Sequence, residues 1–190
     1  MTVDILPAVY TSWTPAMIAS MPRVEGERYE IIDGALHVTT QPHMRHQSAI
    51  LRLGRFMSNW NDQVGILIPA PGVIYDDDNA VAPDLVWMTR ERYAQIAGQD
   101  GKFHGSPELV VEMLSPGKAN EERDRDFKLT LFNRQGVDEY WICDWRVQTI
   151  DIYRRDAEGL RLAQSLGAAM HLTSPLLPGF SVLVETIFQL

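Results

Sequence analysis

The sequence predicts an α/β (α+β) fold in which a mixed central β-sheet is flanked by helices. Three observations predict it. Short apolar runs that read as strands alternate with segments of helical period. A hydrophobic content of 45% with 22% charged residues is ordinary for a globular chain, and 190 residues can bury a sizeable core, so a single domain over residues 1–190 is expected. Two of the strand-like runs also carry an acid among apolar neighbours. These are Asp84 in Val81-Ala82-Pro83-Asp84-Leu85-Val86-Trp87 and Glu112 in Leu109-Val110-Val111-Glu112-Met113-Leu114.

Each element has a local reason. Thr14-Pro15 reads as an N-cap followed by Pro at the first helical position, with a helix running to Met21. Between Arg28 and Val38, Asp33-Gly34 separates two apolar runs, which is a strong hairpin signal. From His43 to Trp60, Ile50, Leu53, Phe56, Met57 and Trp60 recur at helical spacing. Ile66-Leu67-Ile68 and Gly72-Val73-Ile74-Tyr75 read as strands, and Asp76-Asp77-Asp78-Asn79 as a solvated turn leading into the Asp84 strand. Thr89-Arg90-Glu91-Arg92 begins a short helix. Residues 99–107 form a loop before the Glu112 strand, which Ser115-Pro116-Gly117 ends.

A helix from Ala119 to Arg134, stopped at Gly136, follows. In it Lys128 shares a face with Asp124, Arg125 and Glu121, while Phe127 and Leu131 point to the core. Val137 to Asp144 and Thr149 to Tyr153 read as strands, with Tyr140 and Trp141 in the core, and Leu160 to Leu162 and Phe180 to Val184 as shorter ones.

Composition excludes several classes. Cys143 is the one cysteine, so no internal disulfide forms and a reducing compartment fits. No run approaches the ~18 apolar residues of a membrane span. Residues 1–7 carry neither a basic stretch nor a long apolar one, so no signal peptide and a cytoplasmic location are expected. With 17 Lys and Arg against 25 Asp and Glu, the net charge is −8, which counts against strong non-specific DNA binding. It leaves a nuclease open, because acids clustered at a metal site are locally inverted once the metal binds.

The two acids carry the chemistry. A carboxylate among Val and Leu is costly to bury unless something pairs with it. Two of them on neighbouring strands, facing one side, would make a divalent-metal site, since Mg²⁺ takes one or two carboxylates plus water and phosphate oxygens. That points to metal-assisted phosphodiester cleavage by Asp84 and Glu112. A lysine nearby, Lys128, could offset the charge that develops on the phosphate. His43 and His46 lie three apart, but a zinc site needs further ligands and Cys143 is alone, so a helix-start role is favoured for His43.

In order and spacing, Tyr29-Glu30-Ile31-Ile32-Asp33-Gly34, Arg45-His46-Gln47, Ala82-Pro83-Asp84-Leu85, Val111-Glu112-Met113-Leu114-Ser115-Pro116, Arg123-Asp124-Arg125, Lys128-Leu129 and Gly136-Val137-Asp138-Glu139-Tyr140-Trp141 resemble the Uma-type restriction endonuclease family, over about residues 12–185. That family looks like a branch of the PD-(D/E)xK nuclease superfamily. The resemblance implies a restriction-endonuclease-like core and hydrolysis dependent on Mg²⁺, with Mn²⁺ as substitute. It implies that Asp84 and Glu112 are the metal-binding acids, that Glu30 completes the acidic set, and that His46 lies near the active site, contacting an acid or a phosphate. The superfamily lysine would fall at Leu114, and Lys128 matches the substitute on the following helix.

The leading expectation is therefore a metal-dependent endonuclease acting on nucleic acid, with DNA as the expected substrate and a homodimer as the expected assembly. A second is a nuclease-fold binding or regulatory module with weak or no catalysis, motivated by Leu114 and the acidic balance. A third is a metal-independent hydrolase using the two acids as a general acid–base pair.

Overall fold

The computed structural model describes residues 12–22, 24–61 and 63–190. It opens with α1 (Pro15–Ser20), where the Thr14 hydroxyl accepts the Met17 N–H at 3.3 Å. Strands β1 (Arg28–Ile32) and β2 (Ala35–Thr39) form a hairpin. Asp33 and Gly34 both have positive φ, 49° and 75°, which a two-residue turn matching the strand twist requires. His43 precedes α2 (Met44–Asn61), its Nδ1 accepting the Arg45 N–H and its carbonyl that of Gln47. The expected helix-start role of His43 follows from those two bonds.

The chain continues through β3 (Gly65–Pro69), β4 (Val73–Asp76), β5 (Asn79–Val81), β6 (Leu85–Thr89), α3 (Arg90–Ile96) and β7 (Leu109–Met113). Next come α4 (Lys118–Glu122), a π-helical turn (Arg123–Phe127) and α5 (Lys128–Arg134). Strands β8 (Glu139–Asp144), β9 (Thr149–Asp156), β10 (Gly159–Leu166), β11 (His171–Ser174) and β12 (Leu177–Leu183) follow, then α6 (Val184–Phe188).

A six-stranded sheet of order β10-β9-β8-β7-β6-β3 is antiparallel except for β7 and β8, which run parallel. The α4–α5 segment makes the crossover that a parallel pair needs. A second, antiparallel sheet has the order β2-β1-β5-β4, and β11 pairs with β12. Alternation along β7 sends Leu109, Val111 and Met113 into a core shared with α2 and α6, and Val110 into a second core lined by Leu131 and Phe132 of α5. Glu112 has the parity of Val110, so its side chain is directed to the α5 face. Among the described residues no helix is long and apolar enough to cross a membrane.

The structure corrects three expectations. The run around Asp84 is not one strand: Val81 ends β5 and Leu85 begins β6, and these belong to different sheets. Pro83, with no N–H to give a ladder, stands at the break. Strands β5 and β11, not read from the sequence, also appear.

The helix after Gly117 is not uniformly α. The Lys128 N–H bonds the Arg123 carbonyl, five residues back. Leu131 is fully buried, as expected, but Phe127 is 43% exposed rather than in the core. The wider turn gives the inward place to Lys128 and brings Arg123 and Asp124 inward with it, so the aromatic ring bulges out.

Candidate active site

Five pieces of backbone converge on one cavity of about 480 Å³. Strand β1 presents Arg28 and Glu30, two residues apart and so on one face. The β5–β6 connection presents Asp84. Strand β7 presents Glu112, and the helical segment behind it presents Arg123 and Lys128. His46 reaches in from the first turns of α2. All seven side chains line the cavity.

Asp84 is almost wholly buried. Its Oδ2 accepts the Met113 N–H at 3.0 Å and lies 3.1 Å from His46 Nε2. Its Oδ1 accepts from the Arg28 guanidinium at 3.1 Å, and the same Arg28 nitrogen donates to the Ala82 carbonyl. Burial opposes ionisation, but the hydrogen bond and charge of His46, the Met113 amide and Arg28 outweigh it, holding this carboxyl well below the usual range. His46 Nδ1 is buried without a hydrogen-bond partner among the described residues.

The other acids gather round one ammonium. Lys128, 1% exposed, places Nζ 2.6 Å from Glu112, 2.8 Å from Glu30 and 3.6 Å from Asp124. Glu30 also accepts the Ala82 N–H at 2.8 Å and has Arg123 at 3.8 Å. Asp124 takes Arg123 through both oxygens, at 2.8 and 2.9 Å. Glu112 has less support: Lys128, and a long contact from the Asp84 N–H at 3.4 Å.

The electrostatics follow that division. Burial opposes ionisation of Glu30, but Lys128 and Arg123 hold its carboxyl below its ordinary value. Burial, with Asp84, Asp124 and Glu30 close by, pushes Glu112 well above its own, and Lys128 only partly offsets this. Burial also disfavours the charged Lys128, yet Glu112, Glu30 and Asp124 together raise its pKa. Four carboxyl groups thus face three fixed cations, Arg28, Arg123 and Lys128, and Glu112 is the one whose ionisation the site opposes.

Every residue singled out from the sequence, Asp84, Glu112, Lys128, Glu30 and His46, falls in this one cavity. His43 does not join the acids. It stacks on Trp145 at the rim, with ring centroids 4.8 Å apart and planes 12° from parallel. The Asp76–Asp78 turn is exposed, with Asp76 Oδ1 accepting from Asp78 N–H and Asn79 Nδ2.

Sequence reasoning missed Arg28 and gave Arg123 no role. Arg28 had a signal, since a strand residue two before Glu30 shares its face. Arg123 had none, because a regular α-helix would turn it away from Lys128.

Among the described residues no group of three or more His, Cys, Asp and Glu is placed to hold a metal ion. A full protein cage of the zinc type is therefore not what these residues offer. A hard cation such as Mg²⁺ keeps several waters and needs only one or two carboxylates. Asp84 and Glu112 suit that requirement: both open on one cavity, and the cluster holds one more carboxyl group than fixed cations.

Helix α2, the antiparallel strands β3, β6 and β7, the helical crossover and the parallel strand β8 form a nuclease-type core with its acids gathered at one edge. The same fold occurs in a solved structure described as a "putative nuclease belonging to DUF820" from Anabaena variabilis. The two match with a TM-score of 0.73 at 15% identity, over 92% of this chain and 97% of that one. The chain belongs to the Uma2 family, described as "putative restriction endonuclease", which matches residues 16–185. No curated relative matches the sequence.

Proposed function

We propose that this protein is an endonuclease that hydrolyses phosphodiester bonds in DNA, with Mg²⁺, or Mn²⁺ in its place, held by Asp84 and Glu112. One observation carries the reading: two carboxylates from adjacent backbone segments share an open cavity, and a buried ammonium stands 2.6 Å from one of them. The metal would polarise the phosphate and lower the pKa of a bound water.

The chain's own residues prepare the rest. His46 and the Met113 amide fix the orientation of Asp84. Lys128 stands where the superfamily lysine would act, its position two residues after the acid being filled by the buried Leu114. Its fixed charge offsets the negative charge that grows on the phosphate. Arg28, a third exposed, is the cation most open to solvent in the cluster and can exchange Asp84 Oδ1 for a phosphate oxygen. A homodimer with one site per strand, in a cytoplasmic setting that keeps Cys143 reduced, completes the proposal.

The second reading is a binding module of the same fold. It is favoured by the fact that each acid already has a cation partner.

Cleavage of supercoiled and single-stranded DNA in Mg²⁺ and in Mn²⁺, by wild type and Asp84→Ala purified side by side, tests both. Cleavage that disappears in the variant and in EDTA is expected. Equal cleavage by both preparations would reveal a contaminant and refute the assignment of Asp84. Activity that survives EDTA but needs both acids would point to a general acid–base pair instead. No cleavage together with no Mg²⁺ or Mn²⁺ heat in calorimetry would leave the binding module. Light scattering on the same wild-type sample reads the assembly; a mass of one 21.5 kDa chain would refute the dimer.

A further inference from the structure

Helix α2 is 18 residues long and contains no Asp or Glu. It contains three arginines, Arg45, Arg52 and Arg55, in a chain of net charge −8. At 100° per residue these three, with Ser48 and Asn59, fall within about a quarter of the helix circumference. The opposite side, His46, Ala49, Ile50, Leu53 and Met57, is the buried one. Elsewhere arginines are tied down: Arg28, Arg123, Arg125, Arg134, Arg146 and Arg154 each sit within 4 Å of an acid. Arg45, Arg52 and Arg55 have no acidic partner and no side-chain hydrogen bond among the described residues. A shallow groove lined by Ser48, Leu51, Arg52, Arg55, Phe56 and Asn59 follows the stripe.

The stripe begins next to cavity residues in the chain. Arg45 lies between His43 and His46, both of which line the cavity. From there the arginines recede along a rigid rod, about 10 Å to Arg52 and about 5 Å more to Arg55. That span of about 15 Å matches roughly four base-pair rises of 3.4 Å along a duplex axis.

We propose that the Arg45–Arg52–Arg55 face of α2 is a docking track for the sugar–phosphate backbone of duplex DNA entering the cavity. This rests on the nuclease reading above. Arg, Ser and Asn are among the side chains that position phosphates. Phe56, which lines the groove, is partly buried against the core, so the stripe lacks the row of exposed rings on which single strands stack. A second copy of this chain fits less well. Leu51 is 74% exposed and could be covered, but a two-fold contact about this face would bring like-charged arginines together.

The test is the salt dependence of duplex binding, read by fluorescence anisotropy between about 50 and 200 mM salt. It compares wild type, the triple variant Arg45→Gln/Arg52→Gln/Arg55→Gln, and the control Lys102→Gln/Lys118→Gln. The slope of log K against log salt should fall by about 2 to 3 in the triple variant, close to one unit per phosphate contact. KM for cleavage should rise with kcat at saturating DNA unchanged.

An unchanged slope, with wild type binding and cutting DNA, overturns the track and leaves the nuclease reading standing. An equal fall in the lysine control shows a diffuse charge effect and overturns it too. A wild-type dimer that becomes a monomer in the triple variant makes this face a contact between copies and overturns it. Wild type that binds neither duplex nor single strand overturns both readings.

Discussion

Lys128 decides the character of the site. An ammonium this deeply buried is held by three carboxylates, and those carboxylates depend on it in turn. Removing one partner of a buried ion cluster leaves the others uncompensated. Lys128→Met, which keeps most of the volume, should lower unfolding free energy at neutral pH by about 3 to 5 kcal/mol in urea titrations. The deficit should shrink on acidification, as protonation removes the charges left behind. A variant as stable as wild type at neutral pH would mean that Lys128 is not held by a charged cluster in the native state. The same residue shows where sequence reading stops. Its place near Glu112 could be expected from the motif order, but a solvated helix position was equally compatible with Lys128 four residues after Asp124.

The π turn is the element that the sequence hides. The regular strands and helices were legible because their apolar period is legible: Asp33-Gly34 for the hairpin, Ile50-Leu53-Met57 for α2, the apolar flanks of Glu112 for β7. A turn one residue wider than its neighbours has no composition of its own, so Phe127 reads as a core residue four before Leu131. The structure turns Phe127 out against the His37 ring and puts Lys128 in. Phe127→Ala should therefore cost under about 1 kcal/mol, whereas a truncated core Phe costs roughly 3 to 5 and Leu131→Ala should cost about 2 to 5. Urea midpoints for the two variants, measured together, check the turn; equal large losses would restore the regular helix. The break at Pro83 was the more readable of the two surprises, since proline interrupts a ladder wherever it falls.

At the scale of the whole molecule, the acids of the site set the pH profile of folding. Asp84 and Glu30 are held below their ordinary values, so their contribution is complete above about pH 4 and is lost as pH falls through their native values. Glu112 has the opposite sign. Its native value is raised, so wild type loses stability as pH climbs from about 4.5, because the unfolded chain releases the Glu112 proton while the folded site keeps it. Glu112→Gln removes that cost. The stability of the variant relative to wild type should rise between about pH 4.5 and 7, measured as the urea midpoint at each pH. A constant difference would show that Glu112 titrates normally in the folded state.

Glu30 and Arg28 belong to the four-stranded sheet, Glu112 to the six-stranded one, and Asp84 to the backbone that crosses between them. A nuclease is a hazard to the cell that makes it, and this layout delays assembly of the charged cluster during synthesis. The first hundred residues off the ribosome contain Glu30 and Asp84 but neither Glu112 nor Lys128. A fragment, a stalled chain or a molecule whose two sheets have parted holds only part of the cluster.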